Sequence, residues 1–274
     1  MTLQRKTDSH KGQNGRVLVV GGSEVYHGAP LLAALGAEKS GVDLTYLMVP
    51  INQQNLARQF SLNLIVTTFS GKFLKAQDVK KVLDWSRKCD LPGRQAGVMV
   101  IGNGLGDKPQ TLRAIKMILE QAKCKLVIDA AALDAFVKVK SPPATELVLT
   151  PHRGEFGRML GKNLEMASEK ELEQLTQEKA KEWGVTLVLK TPQTLICSPE
   201  GKIHWNTTGH PIMSKGGTGD VLAGLIAGLM AQGLSGFEAA KEACKKWGEV
   251  GEYVAKKKGL MTTVEEMVGG MVGG

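Results

Sequence analysis

SKGGTGDVLAGLIAGLMAQG, residues 214–233, joins a glycine-rich loop to a segment that is apolar almost all round and is closed by Gly233. A helix over Val221 to Gln232 has no polar face, so it must be buried inside a larger layered structure. Gly224 and Gly228 give it a stripe of small residues, against which a helix or sheet can pack closely. Ahead of it, Gly216, Gly217, Thr218 and Gly219 leave the first-turn amides open to approach. Such a helix start offers unpaired N–H groups and the positive end of the dipole to an anion, and phosphate is the natural occupant. Asp220 has two readings on local physics: a carboxylate that stabilises the dipole, or a base that removes a proton from a hydroxyl beside a transferring phosphoryl group.

Outward from this helix, short β-branched runs alternate with helix-length segments: Arg16 to Val20, Leu44 to Val49, Leu64 to Thr68, Gly97 to Ile101, Leu126 to Ile128, Leu147 to Leu149 and Thr186 to Leu189. Continuous apolar strands separated in this way predict an α/β fold, a three-layer α/β/α sandwich around a mostly parallel sheet. Ala29 to Ser40 and Lys170 to Trp183 read as layer helices stopped by Gly41 and Gly184. Thr194 to Ser198 and Lys202 to Asn206 flank Pro199-Glu200-Gly201, a hairpin that adds antiparallel edge strands. With no repeat and no linker, residues 1–274 read as a single domain, with about 1–9 and the glycine-ending tail from 268 flexible.

Glycine is in excess, 33 of 274 residues, which points to turns, phosphate loops and close helix contacts rather than a low-complexity tract. The net charge of +8 favours anionic ligands. The basic residues are dispersed and lack interleaved aromatics, so nucleic acid is not the expected partner. Cys89, Cys124, Cys197 and Cys244 form no metal-ligand spacing and suit a reduced cytoplasmic protein. A polar N-terminus and the lack of any long apolar run argue against a membrane span.

Several segments, in order, carry a family likeness: HKGQNGRVLVVGGSEVYHGAPLLAALGAEKSGVDL (10–44), IGNGLG (101–106), VIDAAAL (127–133), LTPHRGEFGRML (149–160), VLKTPQT (188–194) and NTTGHPIMSKGGTGDVLAGLIAGL (206–229). Together they resemble the ADP/ATP-dependent NAD(P)H-hydrate dehydratases of the ribokinase-like superfamily. The resemblance implies a ribokinase-like fold, Asp220 as catalytic base and Gly216, Gly217, Thr218 and Gly219 as its anion hole. It implies contacts to hydrated NADH or NADPH at Ala29, Gly102, Gly104, His152 and Asp220. The adenine nucleotide, ADP or ATP as phosphoryl donor with Mg²⁺, would lie against Lys190, Thr191, Pro192, Gln193, Thr194 and Gly219. A homo-oligomer, by family likeness a tetramer, and a separate epimerase acting in trans are also implied.

Asp129, at the end of a strand, is a further candidate for holding a metal or orienting a hydroxyl, and Asn206 for a hydrogen bond to ligand. Glu155 either caps a helix or helps place Mg²⁺ through water. His152 is a satisfied loop histidine or a ligand contact at a strand's C-terminal end, where open α/β sheets bind ligands. Ala29 and Pro30 start a helix or admit a nicotinamide ring, and Lys11 is solvated or touches phosphate.

The chain departs from the family pattern at four places: Asn103 and Arg153 each stand where proline is usual, Ala131 where a second aspartate is common, and Thr191-Pro192 follows Lys190 where glycine is usual. Thr191 does not take positive φ as freely as glycine, which puts the nucleotide contacts there in question. Two rival readings stay open: a small-molecule kinase of hydroxymethylpyrimidine or sugar type, and a non-catalytic adenine-nucleotide-binding paralogue.

Overall fold

The computed structural model describes Arg5, residues 7–88 and residues 97–271. Its elements run β1 (Arg16–Val20), α1 (Gly28–Lys39), β2 (Leu44–Pro50), α2 (Gln54–Phe60), β3 (Ile65–Phe69), α3 (Val79–Arg87), β4 (Gly97–Ile101), α4 (Pro109–Leu119) and β5 (Lys125–Ile128). They continue with α5 (Ala131–Phe136), β6 (Leu147–Leu149), α6 (Arg153–Leu160), α7 (Glu169–Trp183), β7 (Thr186–Leu189), β8 (Thr194–Cys197), β9 (Ile203–Asn206), α8 (Thr218–Ala231), α9 (Gly236–Lys258) and α10 (Val264–Gly269). The strands form one sheet in the order β3-β2-β1-β4-β5-β6-β7-β8-β9. Pairings from β3 through β7 are parallel, and β8 and β9 close one edge antiparallel.

Because side chains alternate across a strand, each central strand feeds two cores. Val17 and Val19 pack with α1, α8 and α9 on one face, whereas Leu18 and Val20 pack with α3 and α4 on the other. Both faces are therefore covered, as the continuous apolar runs require. The hairpin turns at Gly201, whose φ of 90° suits glycine.

Helix α8 lies inside the first of these cores, with Val221 to Ala231 all buried. Its glycine stripe meets α1 backbone to backbone: a Cβ on Gly224 would stand 1.9 Å from the Ala33 carbonyl oxygen, and one on Gly36 2.2 Å from that of Val221. Gly224→Ala gains about 1 kcal/mol of helix propensity. It also forces the two backbones apart. We expect a net loss of about 2 kcal/mol, read as a lowered urea midpoint, since overpacking a tight contact costs about 1–3 kcal/mol or more.

Two expectations about element boundaries are revised. Helix α8 begins at Thr218 rather than Val221, so Asp220 is already inside its first turn. Of the tail expected to be flexible from 268, Val268 and Gly269 form the end of α10, which is held by the Thr263–Glu266 capping box and by Met267 and Val268 in the core. The glycine pairs of the tail had hidden this apolar pair. Cys89 lies outside the described residues, Cys124 is buried, and Cys197 and Cys244 are free and buried. No helix among the described residues is long and apolar enough to cross a membrane.

Candidate active site

The C-terminal ends of β4, β5, β6 and β7 converge on the start of α8. Gly217, at φ 101°, caps α8 in a left-handed conformation that glycine adopts without strain. Its own Cβ would collide with Leu32 at 2.4 Å. Gly216 opens onto free space, with nothing within 4 Å of a Cβ built there. The first-turn amides of Gly219 and Asp220 have no preceding helical turn to accept them. Thr218 plays a different part from the one expected of it: its amide donates to the Lys215 carbonyl at 3.3 Å. Its hydroxyl lies 2.7 Å from the Met213 carbonyl and 2.9 Å from that of Lys215. Its carbonyl accepts the Trp247 indole N–H at 3.0 Å. Thr218 therefore fastens the loop, and the amides of Gly219 and Asp220 are the ones without such an acceptor.

Asp220 sits in a tight polar cluster. Asn103 Nδ2 donates to Asp220 Oδ1 at 2.7 Å and to Asp129 Oδ2 at 3.0 Å. Asp129, 3% exposed, also accepts the Thr150 hydroxyl at 2.8 Å and pairs with Lys190 Nζ at 2.9 Å. Burial pushes the Asp220 carboxyl up to about 7, helped by the charges of Asp129 and Glu155 and opposed by the Asn103 hydrogen bond and the Lys190 ammonium. For Lys190, burial works against the charged form, but Asp129 and Glu155 outweigh it and raise its pKa above the ordinary value. A carboxyl that titrates near neutrality is suited to general-base work.

Glu155 and His152 are bound to each other at the start of α6. His152 Nδ1 caps the helix, accepting from Gly154 N at 3.0 Å and Glu155 N at 3.3 Å, and Glu155 Oε2 accepts the His152 N–H at 2.8 Å. The ring is about half exposed, and its Nε2 lies 3.5 Å from Glu155 Oε2. No group of three His, Cys, Asp or Glu side chains spaced to hold a metal occurs among the described residues. Lys190 Nζ lies 2.9 Å from Asp129 and 4.0 Å from Glu155, where a cation bridging these carboxylates would have to be. The carboxylates thus do not form a metal cage, and Glu155 acts as a capping and charge-balancing group.

A cavity of about 570 Å³ opens beside Gly219, lined by Lys190, Thr191, Pro192, Thr194, Leu222 and Trp247 among others. Among the described non-glycine residues only Ala130 has a positive φ, so the turn after Lys190 forms without the glycine conformation that Thr191 lacks. The substitution there leaves the cavity wall in place. Gln193 is not among the lining residues. Asn206 lines the cavity, but its amide is committed to the Asn206–Thr208 turn through Nδ2 to the Thr208 carbonyl at 3.0 Å and Oδ1 from the Thr208 hydroxyl at 3.1 Å.

Ala29 and Gly104 face one another, a Cβ on Gly104 falling 3.2 Å from that of Ala29. Gly102 is wholly occupied with packing, since a Cβ there would stand 1.8 Å from the Asp129 carbonyl oxygen. Lys11 is exposed ahead of β1, at the opposite end of that strand from the cluster, which removes it from any phosphate at α8. The residues that sequence reasoning missed are Asn103, Thr150 and the apolar wall of Leu222, Cys244 and Trp247. Asn103 had only its place beside two turn glycines to mark it, and the apolar wall reads in sequence as ordinary helix core.

The family model described as NAD(P)H-hydrate dehydratase matches residues 17–269. The ADP-dependent (S)-NAD(P)H-hydrate dehydratase of Nitrosopumilus maritimus is 39% identical over 266 residues, covering 96% of this chain and 89% of its own. The bifunctional NAD(P)H-hydrate repair enzyme of Methanopyrus kandleri is 39% identical over 236 residues, 85% of this chain, which spans only 43% of that longer protein. Among solved structures, the ADP/ATP-dependent NAD(P)H-hydrate dehydratase from Bacillus subtilis, co-crystallised with ATP/Mg²⁺, superposes with a TM-score of 0.79 at 29% identity, covering 98% of this chain and 91% of its own. A match over almost the whole sheet, joined to an intact loop and carboxylate at α8, leads to one assignment: the chain belongs to the NAD(P)H-hydrate dehydratase family.

Proposed function

We propose that the protein dehydrates hydrated NADH or NADPH at the expense of an adenine nucleotide, with Asp220 as the base. The observation that carries the residue assignment is the placement of Asp220. Its buried carboxyl, pushed up to about 7, stands at the first turn of α8 beside a cavity of about 570 Å³. In this reading Asp220 takes the proton of the ring hydroxyl, whose oxygen then forms a bond to the terminal phosphorus of the nucleotide. The bond from that phosphorus to the remainder of the nucleotide breaks. Phosphate then departs from the ring carbon, a proton leaves the neighbouring carbon, and the dihydronicotinamide is restored.

The uncovered amides of Gly219 and Asp220 meet the charge that spreads over the phosphoryl oxygens, where fixed dipoles in a dry site count most. Ala29 and Gly104 present no side chain beyond Cβ to the ring, and the half-exposed imidazole of His152 is available to the dinucleotide. Any Mg²⁺ would enter on the donor's phosphates, because Lys190 already occupies the position between Asp129 and Glu155. A cytoplasmic setting, a homo-oligomer and an epimerase in trans complete the reading, and these rest on family likeness and cysteine usage.

The test is incubation of the protein with hydrated NADH and, in turn, ADP or ATP with Mg²⁺, following dihydronicotinamide absorbance. Recovery with release of one phosphate per ring supports the dehydratase. A stable phosphorylated product without recovery of absorbance would instead indicate a small-molecule kinase.

A further inference from the structure

We propose that Asn103 is a positioning residue for this reaction: its carboxamide, shared between Asp220 and Asp129, holds the Asp220 carboxylate oriented and ionised for removal of the hydroxyl proton. The inference rests on the reading of Asp220 as the base.

The geometry is specific. The Asn103 side chain is wholly buried, and its single nitrogen lies 2.7 Å from Asp220 Oδ1 and 3.0 Å from Asp129 Oδ2. An amide nitrogen carries two hydrogens, so each carboxylate receives one. The other end of the group, Oδ1, is buried and has no hydrogen-bond partner among the described residues. An unpaired buried acceptor is costly, and rotating the amide to relieve it would set a carbonyl oxygen against two carboxylates. The orientation is thus dictated by Asp129 and Asp220, and the protein tolerates an orphan oxygen to keep it.

The backbone beneath is equally constrained. The Asn103 carbonyl accepts the Gly22 amide at 2.8 Å, and a Cβ on Gly21 would come within 2.4 Å of that carbonyl oxygen. Asn103 is therefore anchored at the end of β4 and reaches across to α8, 117 residues later in the chain.

Its electrostatic role follows from what surrounds the base. Asp220 faces the Asp129 carboxylate at the end of β5, the Glu155 carboxylate on α6 and the Lys190 ammonium at the end of β7. Burial and two negative charges favour the protonated, inactive form, against one positive charge. The Asn103 N–H is the remaining contribution that favours the ionised form. Lys190 is itself engaged by Asp129 at 2.9 Å, so the amide is the donor that touches Asp220 directly.

The experiment compares the parent with Asn103→Leu, which keeps the approximate shape and removes both donors together with the orphan acceptor. Protein labelled with ¹³C at the aspartate carboxyls is titrated by NMR, and the Asp220 signal is identified by its absence in Asp220→Asn. The Asp220 midpoint is expected to rise by about one to two pH units in Asn103→Leu, the size set by a hydrogen bond to a charged group. The acid limb of kcat/KM for hydrated NADH should move with it. Asn103→Ser, which keeps one donor on a side chain one atom shorter, should shift less and also serves if the leucine variant does not fold. A midpoint unchanged in both variants overturns the proposal, as does a fall in kcat with no movement of the acid limb. Failure of the base assignment has a different signature: Asp220→Asn would keep its turnover, while the NMR titration reports the Asn103 contact independently.

Discussion

Asp220→Asn is expected to lose nucleotide-dependent recovery of NADH by at least about a thousandfold, within the range of an absent general base and its coupled charge effects. The fold should survive, since an asparagine oxygen can still accept from Asn103. Stability adds a second and independent signature. The folded chain raises this carboxyl from 3.8 to about 7, so it holds the proton more tightly than the unfolded chain does. The corresponding stability is complete below the unfolded value and is lost as pH rises through the folded one. Asparagine carries no proton to lose. The variant should therefore match the parent near pH 4 and exceed it at pH 8 by about 1–3 kcal/mol in urea denaturation, after discounting for the part of the group that meets solvent. In the parent, kcat/KM should climb as pH rises through about 7. Near-normal turnover in Asp220→Asn would falsify the assignment.

The second large effect is expected at Lys190→Met. Asp129, 4% exposed at its side chain, would be left buried with no ammonium beside it. Breaking one partner out of a buried pair costs about 3–5 kcal/mol, and because the Lys190 side chain is 21% exposed a discounted loss of about 2–4 kcal/mol is expected here. Asp220 would also lose the one cation that opposes its protonation, so any residual activity should require higher pH. Pairing the change with Asp129→Asn should recover part of the lost stability, because the uncompensated charge is then gone. Simple addition of the two single effects in that double-mutant cycle would contradict the ion pair as the source of the loss.

The sheet was legible because the central strands β1, β4, β5, β6 and β7 are buried on both faces and so read as unbroken apolar runs between helix-length segments. The backbone of the loop before Asp220 was legible because its glycines stand at the start of an all-apolar helix, where Gly217 takes a left-handed cap and Gly216 opens onto free space. What escaped the sequence depends on contacts between distant segments. Whether Thr218 presents its amide to a ligand or to Lys215 is decided by the turn at 211–215 and by Trp247 on α9. The capping of α6 by His152, which consumes one ring nitrogen, was open between two readings until the ring's direction was known. Asn103 was even less visible, since it reads as a turn residue and becomes a bridge only when α8 arrives beside β4.

That arrival has a consequence for how the protein is made. Helix α1 packs its small residues on α8, and the contact that closes the pair joins Gln232 to Ser40, 192 residues apart. While a ribosome extends the chain, one face of the central strands and of α1 has no cover until residue 231 has emerged. At ordinary synthesis rates this interval is roughly 10–40 s. The nascent protein therefore passes through a long stage with a finished-looking parallel sheet and an open apolar flank, during which it is a natural client for chaperones.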